Sequence, residues 1–292
     1  MNPTPSSSSG SPNSGPKPGM KRRWLFAILA LVLLFVLMPF LFWQATWFGR
    51  PLTDAQIAEY LAPSSRPRDT QHALSQIEQR IESPDAATRS SARQWYPAII
   101  QIGAQGGEEL RLTAAWVMGQ DNTAPEFHAA LLRLLADPDP MVRNNAALGL
   151  VRFADASGHD AIVAMLAPAT IVSPDAGTLA IRIKPGDTVN PGTMVARITT
   201  GAQKIELRSQ IPGTADHWLA SEGAQVSAAQ PLLVLDPDAN NAWEALRALY
   251  LIGQPADLPA VDTYAHGVTG LPPAVQLQAA ATAAAIRSRS PH

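Results

Sequence analysis

The stretch VSPDAGTLAIRIKPGDTVNPGTMVARI, Val172 to Ile198, breaks the texture of the chain around it. Its neighbours are Ala- and Leu-rich runs with helical spacing. This segment instead carries β-branched residues, Gly-Asp and Pro-Gly turn pairs and an apolar period near two, which together predict short strands. It also belongs to an internal repeat. GDTVNPGTMV (Gly186 to Val195) aligns with GAQVSAAQPL (Gly223 to Leu232) at an offset of 37, and Gly177 aligns with Gly213 after a one-residue slip. Two copies of strand, glycine turn, strand predict a flattened barrel with a pseudo-twofold axis. Gly177, Gly186, Gly213 and Gly223 are read as its structural turn glycines, with Gly186 and Gly223 supplying positive φ. Val189, Val195, Val226 and Leu232 are expected to fill its core.

The helical sequence repeats as well. ALSQIEQRIESPDAATRSSA (Ala73 to Ala92) aligns with FHAALLRLLADPDPMVRNNA (Phe127 to Ala146) at an offset of 54, pairing Pro84 with Pro138, Asp85 with Asp139 and Arg89 with Arg143. ELRLTAAWVMG adds a further second half, with Arg111 in the arginine's place. The unit is helix, Asp-Pro-Asp turn, helix. Proline suits the first helical turn, where its missing N–H costs nothing, and aspartate favours the positive helix end. A later copy, Leu235 to Gly253, aligns with Ala136 to Ala154 at an offset of 99, placing Asp236 and Asp238 on Asp137 and Asp139. HDAIVAMLAP precedes the strands and reads as a first helix. The strand module is therefore expected between the two helices of one repeat, at the turn where an insertion disturbs packing least.

The D-P-D-x-x-V-R-x-x-A-A run from Asp137 to Ala147 resembles HEAT repeats of the short bacterial kind. That resemblance implies an α-solenoid in which Arg89, Arg111 and Arg143 bond carbonyls or carboxylates in the neighbouring repeat and Asp137, Asp139, Asp236 and Asp238 serve the turns. The doubled P-x-x-G…G-D-x-V-x-x-G pattern resembles the biotinyl/lipoyl-like module, or barrel-sandwich hybrid, found in swinging-arm carriers and in periplasmic adaptor (membrane fusion) proteins. The carrier resemblance points to Lys204, eight residues before Pro212, as the lysine that would be modified. The TTGAQK hairpin departs from the carrier tip in length and in the residues flanking the lysine, so Lys204 reads as an exposed hairpin lysine and the carrier as the alternative function.

Ahead of these parts, residues 1–20 are Ser-, Pro- and Gly-rich and read as a disordered cytoplasmic tail. Lys21, Arg22 and Arg23 precede 20 uncharged residues, Trp24 to Trp43, about the length that spans a bilayer core. Residues 21–48 are expected to form a transmembrane signal anchor, a single membrane span. The rest then lies outside a bacterial-type inner (plasma) membrane, the N-terminus cytoplasmic and the C-terminal domains periplasmic.

The remaining composition mostly excludes. Zero cysteines remove disulfides, thiol catalysis and thiolate metal sites, and a net charge of −2 gives no argument for nucleic acid. The six histidines form no H-x-x-x-H or H-E-x-x-H pair, and no G-x-S-x-G, P-loop or G-x-G-x-x-G occurs. No catalytic constellation, metal site or cofactor is expected. The fold class expected is mainly α: an N-terminal transmembrane helix, HEAT-like repeats over 53–167, a lipoyl-like all-β insertion over 168–237 and further HEAT-like helices over 238–288. The expected function is that of a non-enzymatic scaffold or adaptor, binding other proteins in an envelope complex such as an export system.

Overall fold

The computed structural model describes residues 19–45 and 51–289. The chain divides into two units, residues 1–53 and residues 54–292. The expected disordered stretch over 1–20 lies, up to residue 18, outside the described residues.

In the first unit, helix α1 (Gly19–Ala45) runs for 27 residues. Its described side chains, Trp24 and 26–38, are exposed. Among the described residues no helix is long and apolar enough to cross a membrane. This overturns the transmembrane signal anchor over 21–48, the single membrane span, and the inner-membrane, periplasmic placement inferred from it. The basic side chains at 21–23 and the tryptophans at 43 and 47 lie outside the described residues.

The second unit begins with helices α2 (Asp54–Tyr60), α3 (Pro67–Ile81), α4 (Ala86–Ala92), α5 (Tyr96–Gln105) and α6 (Glu108–Met118). It continues through α7 (Pro125–Leu134), α8 (Pro140–Arg152) and α9 (His159–Ala164). After the strands come α10 (Ala239–Ile252), α11 (Leu258–Ala265) and α12 (Pro273–Arg289). Proline stands in the first turn of α3, α5, α7 and α8, where the backbone lacks a hydrogen-bond partner in any case. The aspartates cap as their spacing predicts. Asp85 accepts the Thr88 N–H at 2.7 Å, Asp139 those of Met141 and Val142 at 2.8 and 3.0 Å, and Asp238 that of Asn240. Helices α5 and α6 are separated only by Gly106 and Gly107. A Cβ at Gly106 would sit 2.6 Å from the Ile102 carbonyl oxygen.

The second helices of successive pairs, α6, α8, α10 and α12, stand side by side. Helix α9, before the strands, packs with α10 after them. Ile162, Leu166, Leu246, Leu249, Val261, Tyr264 and Ile286 share one apolar core across the insertion. The Tyr264 hydroxyl donates to the Leu166 carbonyl at 2.8 Å, fixing the chain just before it enters the strands.

Between α9 and α10 lie β1 (Ala169–Val172), β2 (Gly177–Ile181), β3 (Thr188–Val189), β4 (Met194–Thr200), β5 (Gln203–Arg208), β6 (Gly213–Trp218), β7 (Gln225–Val226) and β8 (Pro231–Pro237). They form two antiparallel sheets, ordered β1-β8-β6-β3 and β5-β4-β2-β7. Advancing every strand of the first sheet by four, cyclically, gives the second, so the pseudo-twofold is complete at the level of topology. Its hydrogen bonds repeat too. Gly186 N–H donates to the Ala215 carbonyl at 2.7 Å and Gly223 N–H to the Leu179 carbonyl at 2.9 Å. Leu179, Val189, Val195, Ile198, Val226, Leu232 and Leu235 fill a core separate from that of the helices. The fold class is accordingly mixed helical and sheet rather than mainly α, because the doubled half-motif closes two full four-stranded sheets around their own interior.

Candidate partner-binding groove

The side chains singled out in the sequence are occupied in holding the fold. Arg89 donates to the Ser83 and Pro84 carbonyls at 2.6 and 2.8 Å, and Arg143 to those of Asp137 and Pro138 at 2.7 and 2.9 Å. Each therefore closes the turn before its own helix rather than reaching the neighbouring repeat. Arg111 does both. It donates to the Gly106 carbonyl at 3.0 Å and grips Asp137 of the next pair through two bonds of 2.7 and 2.9 Å. Burial pushes the Asp137 carboxyl up, but the bonds from Arg111 and from the Asp139 N–H outweigh it and leave the pKa lowered. Asp139 Oδ2 is buried without a hydrogen-bond partner. The Asp139 charge, with some burial, raises the pKa of Glu108. Asp236 sits in β8 opposite Thr214, its pKa raised by burial and then by Asp216.

The four glycines divide into two kinds. Gly186 and Gly223 have φ of 89° and 77°, with open space where a side chain would go. Gly177 and Gly213 are not turn residues: they open β2 and β6. A Cβ at either would stand 2.6 Å from a carbonyl oxygen, of Thr199 or Asp236 respectively, so glycine is needed there for backbone approach. Lys204 is exposed and lies within β5 opposite Thr199, two residues beyond a turn made of Gly201 and Ala202. Its side chain leaves from the strand ladder rather than from the turn itself.

A further device was missed in the sequence. Tyr96 donates to Asp121 at 2.7 Å, His128 Nε2 lies 2.6 Å from Asp155, and His159 Nε2 lies 2.8 Å from Asp257. In each case the aromatic ring lies in the first turn of the first helix of a pair and the aspartate in the segment leading to the next pair. The signal was one aspartate in each of those segments, but their spacing to the ring varies from 25 to 98 residues because the strands intervene.

A groove of about 580 Å³ is faced by α6, α8, α10 and α12. Glycine makes its floor. A Cβ at Gly119 would meet the Gly149 Cα at 3.1 Å, so α6 and α8 touch backbone to backbone there. Its walls carry large exposed side chains: Trp116, Tyr250 and Leu251, the last 61% exposed. The Trp116 indole N–H is held by Glu78 at 2.8 Å, which fixes the ring while leaving its face open. Arg152 donates to the Gln120 side chain at 2.5 Å, and Arg247 lies 4.6 Å over the Trp243 ring. A second, more polar hollow of about 380 Å³ adjoins it, lined by Arg89, Arg93, Tyr96 and Asp121, and Gln120 lines both. Among the described residues no group of three or more His, Asp or Glu side chains is placed to hold a metal ion.

Compared with known proteins, residues 129–157 match the HEAT repeat family model. That segment runs from α7 through the Asp-Pro-Asp turn and α8. No curated protein matches the chain. A matching solved structure is described as that of a single-chain, multi-domain long-chain acyl-CoA carboxylase, at 15% identity and a TM-score of 0.24. The match covers 47% of this chain and 15% of that one. These findings give no support to a likeness with periplasmic adaptors; what they establish is a HEAT repeat at 129–157.

Proposed function

We propose that the chain is a non-enzymatic scaffold that binds a partner protein in the groove across α6, α8, α10 and α12. The observation that carries this reading is the exposure of Trp116, Tyr250 and Leu251 around one hollow. Large apolar side chains grouped at a concavity lose water when a partner covers them, and aromatic residues are the usual anchors of such contacts. HEAT repeats generally mediate protein–protein interaction, and stacked helix pairs present extended surfaces suited to it. The charged groups expected of a catalytic site are instead engaged in caps and straps, which favours binding over chemistry. The strand module, with its own core, is read as a second surface on the same scaffold.

The test is site-specific photocrosslinking in cells from a reactive amino acid placed at Tyr250, compared with one placed at Lys204. Under the groove reading, Tyr250 yields a discrete adduct that disappears in Leu251→Glu. An adduct unaffected by Leu251→Glu, or none at all, removes the groove from the function.

A further inference from the structure

The groove and the polar hollow beside it form one track that meets at Gln120. Its charge runs against that of the chain. The chain as a whole is −2, whereas the track is lined by four guanidinium groups, Arg89, Arg93, Arg152 and Arg247, and by only two carboxylates, Asp121 and Glu244. Both carboxylates are already engaged. Asp121 accepts the Tyr96 hydroxyl at 2.7 Å and the Thr123 hydroxyl at 2.6 Å, and Glu244 faces Arg247 at 3.5 Å. The arginines are less well matched. Arg93 is paired with Asp121 at 3.6 Å, but among the described residues Arg152 bonds only the neutral amide of Gln120 and Arg89 only neutral carbonyls. An unpaired guanidinium beside exposed Trp116 and Leu251 favours a ligand that brings a carboxylate and an apolar side chain together.

Resting on the scaffold reading, we propose that this track binds an acidic, apolar-rich peptide segment of the partner. Its aromatic or leucine side chains enter the hollow beside Trp116 and Tyr250. Its carboxylates meet Arg152 and, past Gln120, Arg89. A nucleic acid backbone would satisfy the guanidinium groups but not the apolar wall of the groove.

The probe is a random twelve-residue peptide library displayed on phage and selected against the full chain, followed by anisotropy measurements on recovered, fluorescein-labelled peptides. The expected sequences are enriched in Asp or Glu next to Trp, Phe or Leu. Their binding weakens with added salt and falls at least tenfold in Arg152→Glu. The exposed barrel residue Arg182, reversed to glutamate, leaves it unchanged, and circular dichroism verifies the fold of each variant. Recovery of basic or uncharged sequences, or binding within twofold of the parent in Arg152→Glu, overturns the acidic ligand. If Leu251→Glu still abolishes such binding, the groove remains a protein-binding site and only the charge assignment fails. If no recovered peptide responds to Leu251→Glu, the scaffold reading fails with it. Tighter binding of a twelve-nucleotide single strand of thymidylate than of any recovered peptide also overturns the proposal.

Discussion

Asp139 shows how a single capping residue creates pressure on its neighbours. One carboxylate oxygen caps α8, while the other is buried without a partner and its charge raises the pKa of Glu108. Replacing Glu108 with Gln removes one of two facing charges and supplies an amide donor. The expected outcome is a gain of a few tenths of a kcal/mol at pH 7, small because Glu108 is exposed, measured by chemical denaturation. The glycines give a second residue-scale ranking. Gly213→Ala forces a Cβ to within 2.6 Å of the Asp236 carbonyl, which the β6–β8 ladder holds in place. A loss of about 1–3 kcal/mol follows. At Gly186 the space is open and only the positive φ resists, so Gly186→Ala costs about 1 kcal/mol. Differential denaturation of the two variants reads this order, and the reverse order would show that the close approach is not rigid.

At the scale of elements, junctions between helix pairs depend on which side of the turn an arginine serves. Arg111→Ala leaves Asp137, with 5% of its side chain exposed, without its principal cation. A loss of about 3 kcal/mol is expected, against about 1 kcal/mol for Arg143→Ala, whose bonds end on two carbonyls. Equal losses would mean that the Arg111–Asp137 grip adds nothing beyond closing the turn. The His159–Asp257 strap adds a pH dependence of known sign. Burial alone would lower the His159 pKa, but the bonds to Asp257 and Asp160 reverse this and leave it raised. A group with a raised folded pKa contributes fully below its unfolded value, ~6.5, and loses that contribution as pH climbs through the folded one. The thermal midpoint of the parent should therefore fall more steeply between pH 6 and pH 9 than that of His159→Gln. Parallel curves would show that the imidazole is not charged in the folded state.

For the whole molecule, the separate cores of strands and helices carry the prediction. Ile162 and Leu166 before the strands pack with Leu246 and Leu249 after them, while Leu179, Val195 and Leu232 pack among themselves. Deleting 169–235 and joining Pro168 to Asp236 should leave the helical circular dichroism and a single cooperative transition intact. Loss of helicity would show that the barrel supports the helix stack, contrary to the division of the two cores.

The sequence by itself determined what local chemistry and short periods encode. The Asp-Pro-Asp capping turns, the period-two strands and the doubled half-motif of the barrel were all legible, because proline, glycine and aspartate act on the backbone within a few residues. Tertiary structure decided the rest. Whether Gly177 marks a turn or a close approach depends on the Thr199 carbonyl, 22 residues away. Whether Arg111 serves its own turn or the next depends on where α8 begins. The ring-to-aspartate straps and the groove were invisible for the same reason. Trp116, Arg152, Arg247 and Leu251 share no sequence pattern, and they converge only because Gly119 and Gly149 draw α6 against α8 and the strands loop out between α9 and α10.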